Sequence, residues 1–236
     1  MAVMTNKAQV LNSLLALPRK DFEVNPPADR PVLEEMIYAL LREGATHEEA
    51  DAAFDKLKNQ FFDWNEVRVS GEAELAEMFE GLSDAAVRAE RVIALLQEVF
   101  ESTYTFDLES LHKKGLKQAA KQIGRYQAAN EYTVAWVTQQ TLGGQAIPID
   151  APALRTVRRL GLVDSDAVDS EAVRTSLEHL VPKAKAMQFT ELISLVARDH
   201  CWENTPNCKQ CPLRAECITG QSDSRGKATK SKPKPR

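Results

Sequence analysis

All four cysteines of this 236-residue chain fall within seventeen residues, at Cys201, Cys208, Cys211 and Cys217. The gaps between them are six, two and five residues. No other feature constrains the fold as much, because it demands a short irregular loop that gathers four sulfurs. Four thiolates on such a loop suit a metal centre. Each can face a common point, and the Cys208–Cys211 pair can chelate from one tight turn. Pro206 and Pro212 stiffen the loop between ligands. Spacing alone leaves three outcomes open: two disulfides, a four-cysteine zinc site, or an iron–sulfur cluster. A cytosolic setting disfavours the disulfides.

The remainder reads as helix. Residues 5–17 suit a short amphipathic helix, and Asn25-Pro26-Pro27 breaks the chain before Pro31 opens the next one. Val32, Met36, Ile37, Leu40 and Leu41 fall on one stripe. Thr46 with Glu49 three residues on forms a capping-box signature. Ala50, Ala53, Phe54, Leu57 and Phe61 make the inner face of that helix. Further helices are expected over 75–79, 85–100, 108–123, 132–142, 153–160, 171–180 and 183–199. In the 85–100 helix, Val87, Val92, Leu95, Leu96 and Val99 are the burial candidates. No strand pattern or internal repeat appears, so the expected class is all-α with about ten helices, in one large domain or two small lobes.

Charge and hydropathy narrow the setting. No apolar run reaches the roughly 18 residues of a membrane helix, and no signal cleavage pattern follows Val10–Leu17. The expectation is a cytoplasmic monomer with no membrane partner, associated with the nucleoid if it binds DNA. The net charge is −4, but from Gly220 onward six cations face one acid, leaving −9 for the rest. That basic tail is either a disordered solubilising end or an arm for DNA phosphates.

The cysteine spacing and its C-terminal placement resemble the iron–sulfur loop of the endonuclease III and adenine-glycosylase families. The resemblance covers roughly residues 31–217. Tyr38-Ala-Leu-Leu-Arg-Glu-Gly-Ala-Thr46 is similar to the family's early helix and its Ser-Ala-Gln-Ala-Thr turn. Gly81-Leu82 with Arg88-Ala89-Glu90 resembles a later helix start. Gly144 to Asp150 resembles the segment leading to the family's catalytic aspartate, with Arg155 and Arg159 following at family-like spacings. The resemblance implies a two-lobed helical fold with a degenerate helix–hairpin–helix near 108–142. It also implies a [4Fe–4S] cluster on the four cysteines that positions DNA without carrying out the base chemistry.

Three departures matter. Gly44 stands where the family usually has a glutamine that fills the gap left by the extruded base. The hairpin motif Leu-Pro-Gly-Val-Gly corresponds to Tyr126-Gln-Ala-Ala-Asn130, so its glycines are Ala128 and Asn130. Asn130 tolerates the left-handed region, and alanine does so poorly. Tyr132 occupies the position of the lysine that makes some members strand-cutting lyases. A rival alignment through Leu111-His-Lys-Lys-Gly115 would use Lys117 instead.

The implied partner is double-stranded DNA. The implied reaction is excision of a flipped, damaged or mismatched base, with Asp150 stabilising the sugar cation or orienting water. Asp150 is equally a natural N-cap for the helix that Pro152 opens. Tyr132 lines the base pocket or packs in the core, and Trp136 one turn on is core. Ala128, Asn130, Lys209 and Arg214 are the candidate DNA contacts, the last two also reading as solvated cations. His47, His112, His179 and His200 show no ligand spacing and read as surface or capping residues. The domain reading is a leading helix and linker over 1–30, a helical domain over 31–200, the cluster loop over 201–217 and the tail over 218–236. Three functions are carried forward: a monofunctional glycosylase, an inactive DNA-binding paralogue, and a bifunctional glycosylase–lyase using Lys117.

Overall fold

The computed structural model describes residues 6–17, 29–164 and 170–222. The expected break at Asn25-Pro26-Pro27 and the basic tail beyond 222 lie outside them. The described residues form eleven α-helices and two 3₁₀ turns, with no strand among them. The chain divides into two compact units, residues 26–148 and residues 1–25 with 149–236.

The first unit, here the hairpin unit, is built around α2 (Val32–Arg42), ten of whose eleven residues are buried. It packs against α3 (His47–Gln60), α6 (Ala85–Thr103) and α8 (Glu131–Gln140). Between these run α4 (Trp64–Val69), α5 (Glu72–Met78), a 3₁₀ turn (Glu109–Lys113) and α7 (Leu116–Ile123). The α3 capping box forms as expected. Thr46 Oγ1 accepts from the Glu49 amide at 3.1 Å, and Glu49 Oε2 accepts from the Thr46 amide at 2.8 Å. Fully burying each Leu, Ile or Met of α2 contributes about 1.5–3 kcal/mol, so this helix anchors the unit.

Two sequence expectations change here. Val87 is 53% exposed, and the buried stripe of α6 instead starts at Arg88 and Ala89. One residue on a helix is a 100° rotation, enough to exchange solvent for core. The expected 108–123 helix is interrupted, because Gly115 is extended at the N-cap of α7.

The second unit, here the cysteine unit, contains α1 (Lys7–Leu15), α9 (Ala151–Leu160), α10 (Ser170–Leu180), a 3₁₀ turn (Lys183–Lys185) and α11 (Ala186–Asp199). The cysteine loop follows, and residues 218–222 form a helical turn. The leading helix packs on α11, and Gln188 Nε2 donates to the Leu15 carbonyl at 3.1 Å. Val10, Leu11 and Leu14 are its buried face, and a nine-residue helix needs such packing to persist.

Candidate functional site

The cysteine loop closes on itself. Cys201, Cys208, Cys211 and Cys217 are all free thiols, and all four line one pocket in the cysteine unit, with α9 residues Thr156, Arg159 and Leu160 on its wall. Cys201 and Cys217 are buried, while Cys208 and Cys211 are partly exposed. Burial pushes the Cys211 and Cys217 thiols up from their ordinary range, despite hydrogen bonds that pull the other way. A bound cation would reverse that, because a coordinating thiol is deprotonated. Among the described residues, no group of three or more His, Cys, Asp or Glu side chains is placed to hold a metal ion. The donor set of four sulfurs suits a soft metal or an iron–sulfur cluster.

Two arginines of α9 hold the loop. Arg155 Nε donates to the Cys201 carbonyl at 2.9 Å. Arg159 donates to the Trp202 carbonyl at 2.5 Å and the Glu203 carbonyl at 2.6 Å, and its Nη1 lies 3.6 Å from Cys201 Sγ. Its own carbonyl accepts from Cys217 Sγ at 3.1 Å. The spacing of these arginines after Asp150 was visible in the sequence; their grip on the loop was not. Lys209 is exposed and Arg214 partly so, both on the loop between ligands.

Asp150 opens α9. Its Oδ1 accepts from the Ala153 amide at 2.8 Å, the N-cap expected of it, with Pro152 in the first turn. It is partly exposed, so one carboxylate face carries the cap while the residue still meets solvent.

In the hairpin unit, α7 and α8 are joined by residues 124–130, within the stretch where the helix–hairpin–helix was expected. Asn130 is not left-handed. Its φ is −79°, an extended N-cap whose Oδ1 accepts from the Thr133 amide at 3.0 Å. Among the described residues, none in this turn has a positive φ, so the turn closes without the conformation for which the family glycines would be needed. The Ala128 and Ala129 side chains instead belong to the buried core. The turn is held from outside by side chains. Asn130 Nδ2 donates to both Glu43 carboxylate oxygens at 2.8 and 2.9 Å. Arg91 donates to Glu43 at 2.9 Å and to the Ala128 carbonyl at 3.2 Å. The Gln127 amide donates to Glu98 at 2.6 Å. Lys117 lies exposed in the first turn of α7, the helix before the hairpin turn.

Tyr132 stands in the first turn of α8 and is 5% exposed. Its ring stacks on Trp136 at 5.8 Å and 24°. Trp136 is core, as expected, and its Nε1–H donates to Glu35 at 2.6 Å. Glu35 is 2% exposed, and burial raises its carboxyl above the ordinary value although Trp136 and Arg30 oppose the shift. Arg88 is 6% exposed and donates to the Leu40, Leu41 and Glu43 carbonyls at the end of α2, and to the Ser83 carbonyl. It satisfies carbonyls that a helix C-terminus otherwise leaves orphaned. Gly44, at φ +72°, follows that helix end; its left-handed backbone makes the turn into α3 and, with no side chain, fills no gap. His47 is no mere surface residue, since its Nδ1 lies 3.0 Å from the Tyr38 hydroxyl. His200 lines the cysteine pocket.

No family model matches the sequence. The DNA glycosylase/AP lyase ROS1 of Arabidopsis thaliana is 24% identical over 172 residues, which are 66% of this chain and 12% of that protein. The chain therefore spans only a small part of the length of the curated relatives it matches. Among solved structures, a non-covalent endonuclease III–DNA complex aligns over 94% of this chain and 100% of its own at TM-score 0.72 and 20% identity. A thermostable thymine-DNA glycosylase aligns over 92% of this chain and 97% of its own at TM-score 0.65 and 20% identity. The chain has an all-helical fold like that of endonuclease III. Among the described residues, no helix is long and apolar enough to cross a membrane.

Proposed function

We propose that this protein is a monofunctional DNA glycosylase that binds double-stranded DNA as a monomer and removes a damaged or mismatched base. The observation that carries the reading is the endonuclease III fold over 94% of the chain, with Tyr132 at the start of the second hairpin helix and Asp150 at the start of the helix after it. Tyr132 has no amine with which to form an imine, so strand cleavage is not expected of it. The Asp150 carboxylate stabilises positive charge on the sugar as the base departs, or orients the water that replaces it. The Asn130 N-cap and the α8 N-terminus face the backbone phosphates, and Lys209 and Arg214 supply cations from the loop.

The four cysteines hold a [4Fe–4S] cluster in this reading, zinc being the alternative. The support is four free thiols around one pocket, braced by Arg155 and Arg159. The group fixes the loop and positions its cations; it takes no part in excision.

A second reading is favoured by one observation. Glu43 and Glu98 place two carboxylates on the hairpin turn, through Asn130 and Gln127, where phosphates would approach. A paralogue that kept the fold and lost the chemistry would tolerate this. The test is excision on a panel of lesion and mismatch duplexes, with binding measured at rising salt. Strand breaks only after alkali, with no borohydride-trapped adduct, are expected. Tight salt-sensitive binding without excision would favour the paralogue. A trapped imine would favour lyase chemistry, with Lys117 as the amine to test.

A further inference from the structure

The polar side chains around the cysteine pocket are nearly all engaged within the protein. Thr156 Oγ1 donates to the Pro152 carbonyl at 2.9 Å, and Thr219 Oγ1 to the Arg159 carbonyl at 3.3 Å. Arg159 is shared among loop carbonyls and Cys201 Sγ. His200 differs. It lines the pocket and directly precedes Cys201, its backbone caps α11, yet its Nδ1 is buried and meets no hydrogen-bond partner among the described residues. A buried ring nitrogen left unpaired is costly, and such a group in a folded protein calls for a specific explanation, an ion or bound group among them.

We infer that His200 is a hydrogen-bond donor to the group held by the four cysteines. In the tautomer with hydrogen on Nδ1, the imidazole donates an N–H to a sulfur of the cluster or its thiolates. Arg159, 3.6 Å from Cys201 Sγ, adds a cation on the same wall. Hydrogen bonds to cluster sulfurs favour the more electron-rich reduced state and raise the reduction potential. His200 is therefore a positioning and tuning residue, not a ligand. The inference rests on the iron–sulfur reading above.

The test compares wild type with His200→Asn and His200→Leu. These two side chains have nearly the same shape, but only asparagine keeps an N–H at the δ position. Iron content and visible absorbance are measured first, then the midpoint potential by voltammetry without DNA. With iron loaded equally in all three, His200→Leu should shift to lower potential and His200→Asn should stay near wild type. Retention of iron by the asparagine variant alone would also support the donor role. Equal potentials in all three proteins would overturn it, as would equal displacement or equal iron loss in both variants. Strong nitrogen coupling to the reduced cluster by electron–nuclear spectroscopy would overturn it too, by making His200 a ligand. A colourless, zinc-loaded wild type would overturn the cluster reading itself, a failure visible before any variant is made.

Discussion

Both units use buried or half-buried arginines to hold a loop, but they set them against different backgrounds. In the hairpin unit, Arg88 fastens the end of α2 where a continuous apolar core, running from Val32 to Val137, already fixes the helices. In the cysteine unit, Arg155 and Arg159 fasten an irregular loop whose interior is a pocket lined by thiols. The first arrangement is complete in the protein chain. The second gathers four thiols around one pocket, beside an imidazole nitrogen that has no hydrogen-bond partner among the described residues. If the cysteines hold the proposed group, the hairpin unit should keep its fold when that group is lost, and the cysteine loop should not.

The sharpest way to break this contrast is Cys211→Ser. We expect loss of bound iron and of amide protection over 201–217 by hydrogen exchange, with α2, α6 and α8 still protected. Equal loss of protection in both units would remove the distinction. Arg88→Met comes next. It strands three carbonyls at the end of α2 and that of Ser83, and should destabilise by about 3–5 kcal/mol in denaturant melts. Arg159→Met, with partly exposed partners, should cost only about 1–2 kcal/mol.

Buried Glu35 gives a pH signature confined to the hairpin unit. Burial raises its pKa above 4.5, so the folded state holds this proton more tightly than the unfolded state. Its favourable contribution is complete below the unfolded value and is lost as pH rises through the raised folded value. The slope can reach about 1.4 kcal/mol per pH unit. Glu35→Gln keeps an acceptor for Trp136 and should flatten stability across that window. An unchanged slope would assign the dependence to other groups. The smallest expected effect is Asn130→Ala, about 1 kcal/mol from the lost N-cap, together with weaker duplex binding as the turn loses its tie to Glu43.

Much of this was legible in the sequence. The cysteine loop, the Thr46–Glu49 capping box, the Asp150 N-cap and the α2 stripe are local patterns whose physics depends on neighbours three or four residues away. What was not legible depends on distant partners. The role of Arg88 depends on the α2 carbonyls, more than forty residues earlier, to which it donates. Nothing near Glu35 in the sequence marks it as buried, because the donor it meets, Trp136, lies 101 residues on. Asn130 reads as a left-handed turn residue because the family glycines suggested one, while the observed turn needs none and spends its amide on Glu43. His200 reads as a capping residue because ligand spacing cannot reveal a donor behind the ligands. Helix α4, six residues long, is too short for a helical period to register.

The most direct test of the account is single-turnover base excision by wild type and Asp150→Asn, on whichever duplex the panel selects. Asparagine caps a helix about as well as aspartate, so the variant should fold and bind duplex like wild type. What it lacks is the negative charge. The account predicts that alkali-sensitive breaks fall at least a hundredfold in the variant with affinity unchanged. Excision at the wild-type rate would contradict it, and would reduce Asp150 to the N-cap that its hydrogen bond to Ala153 already makes it.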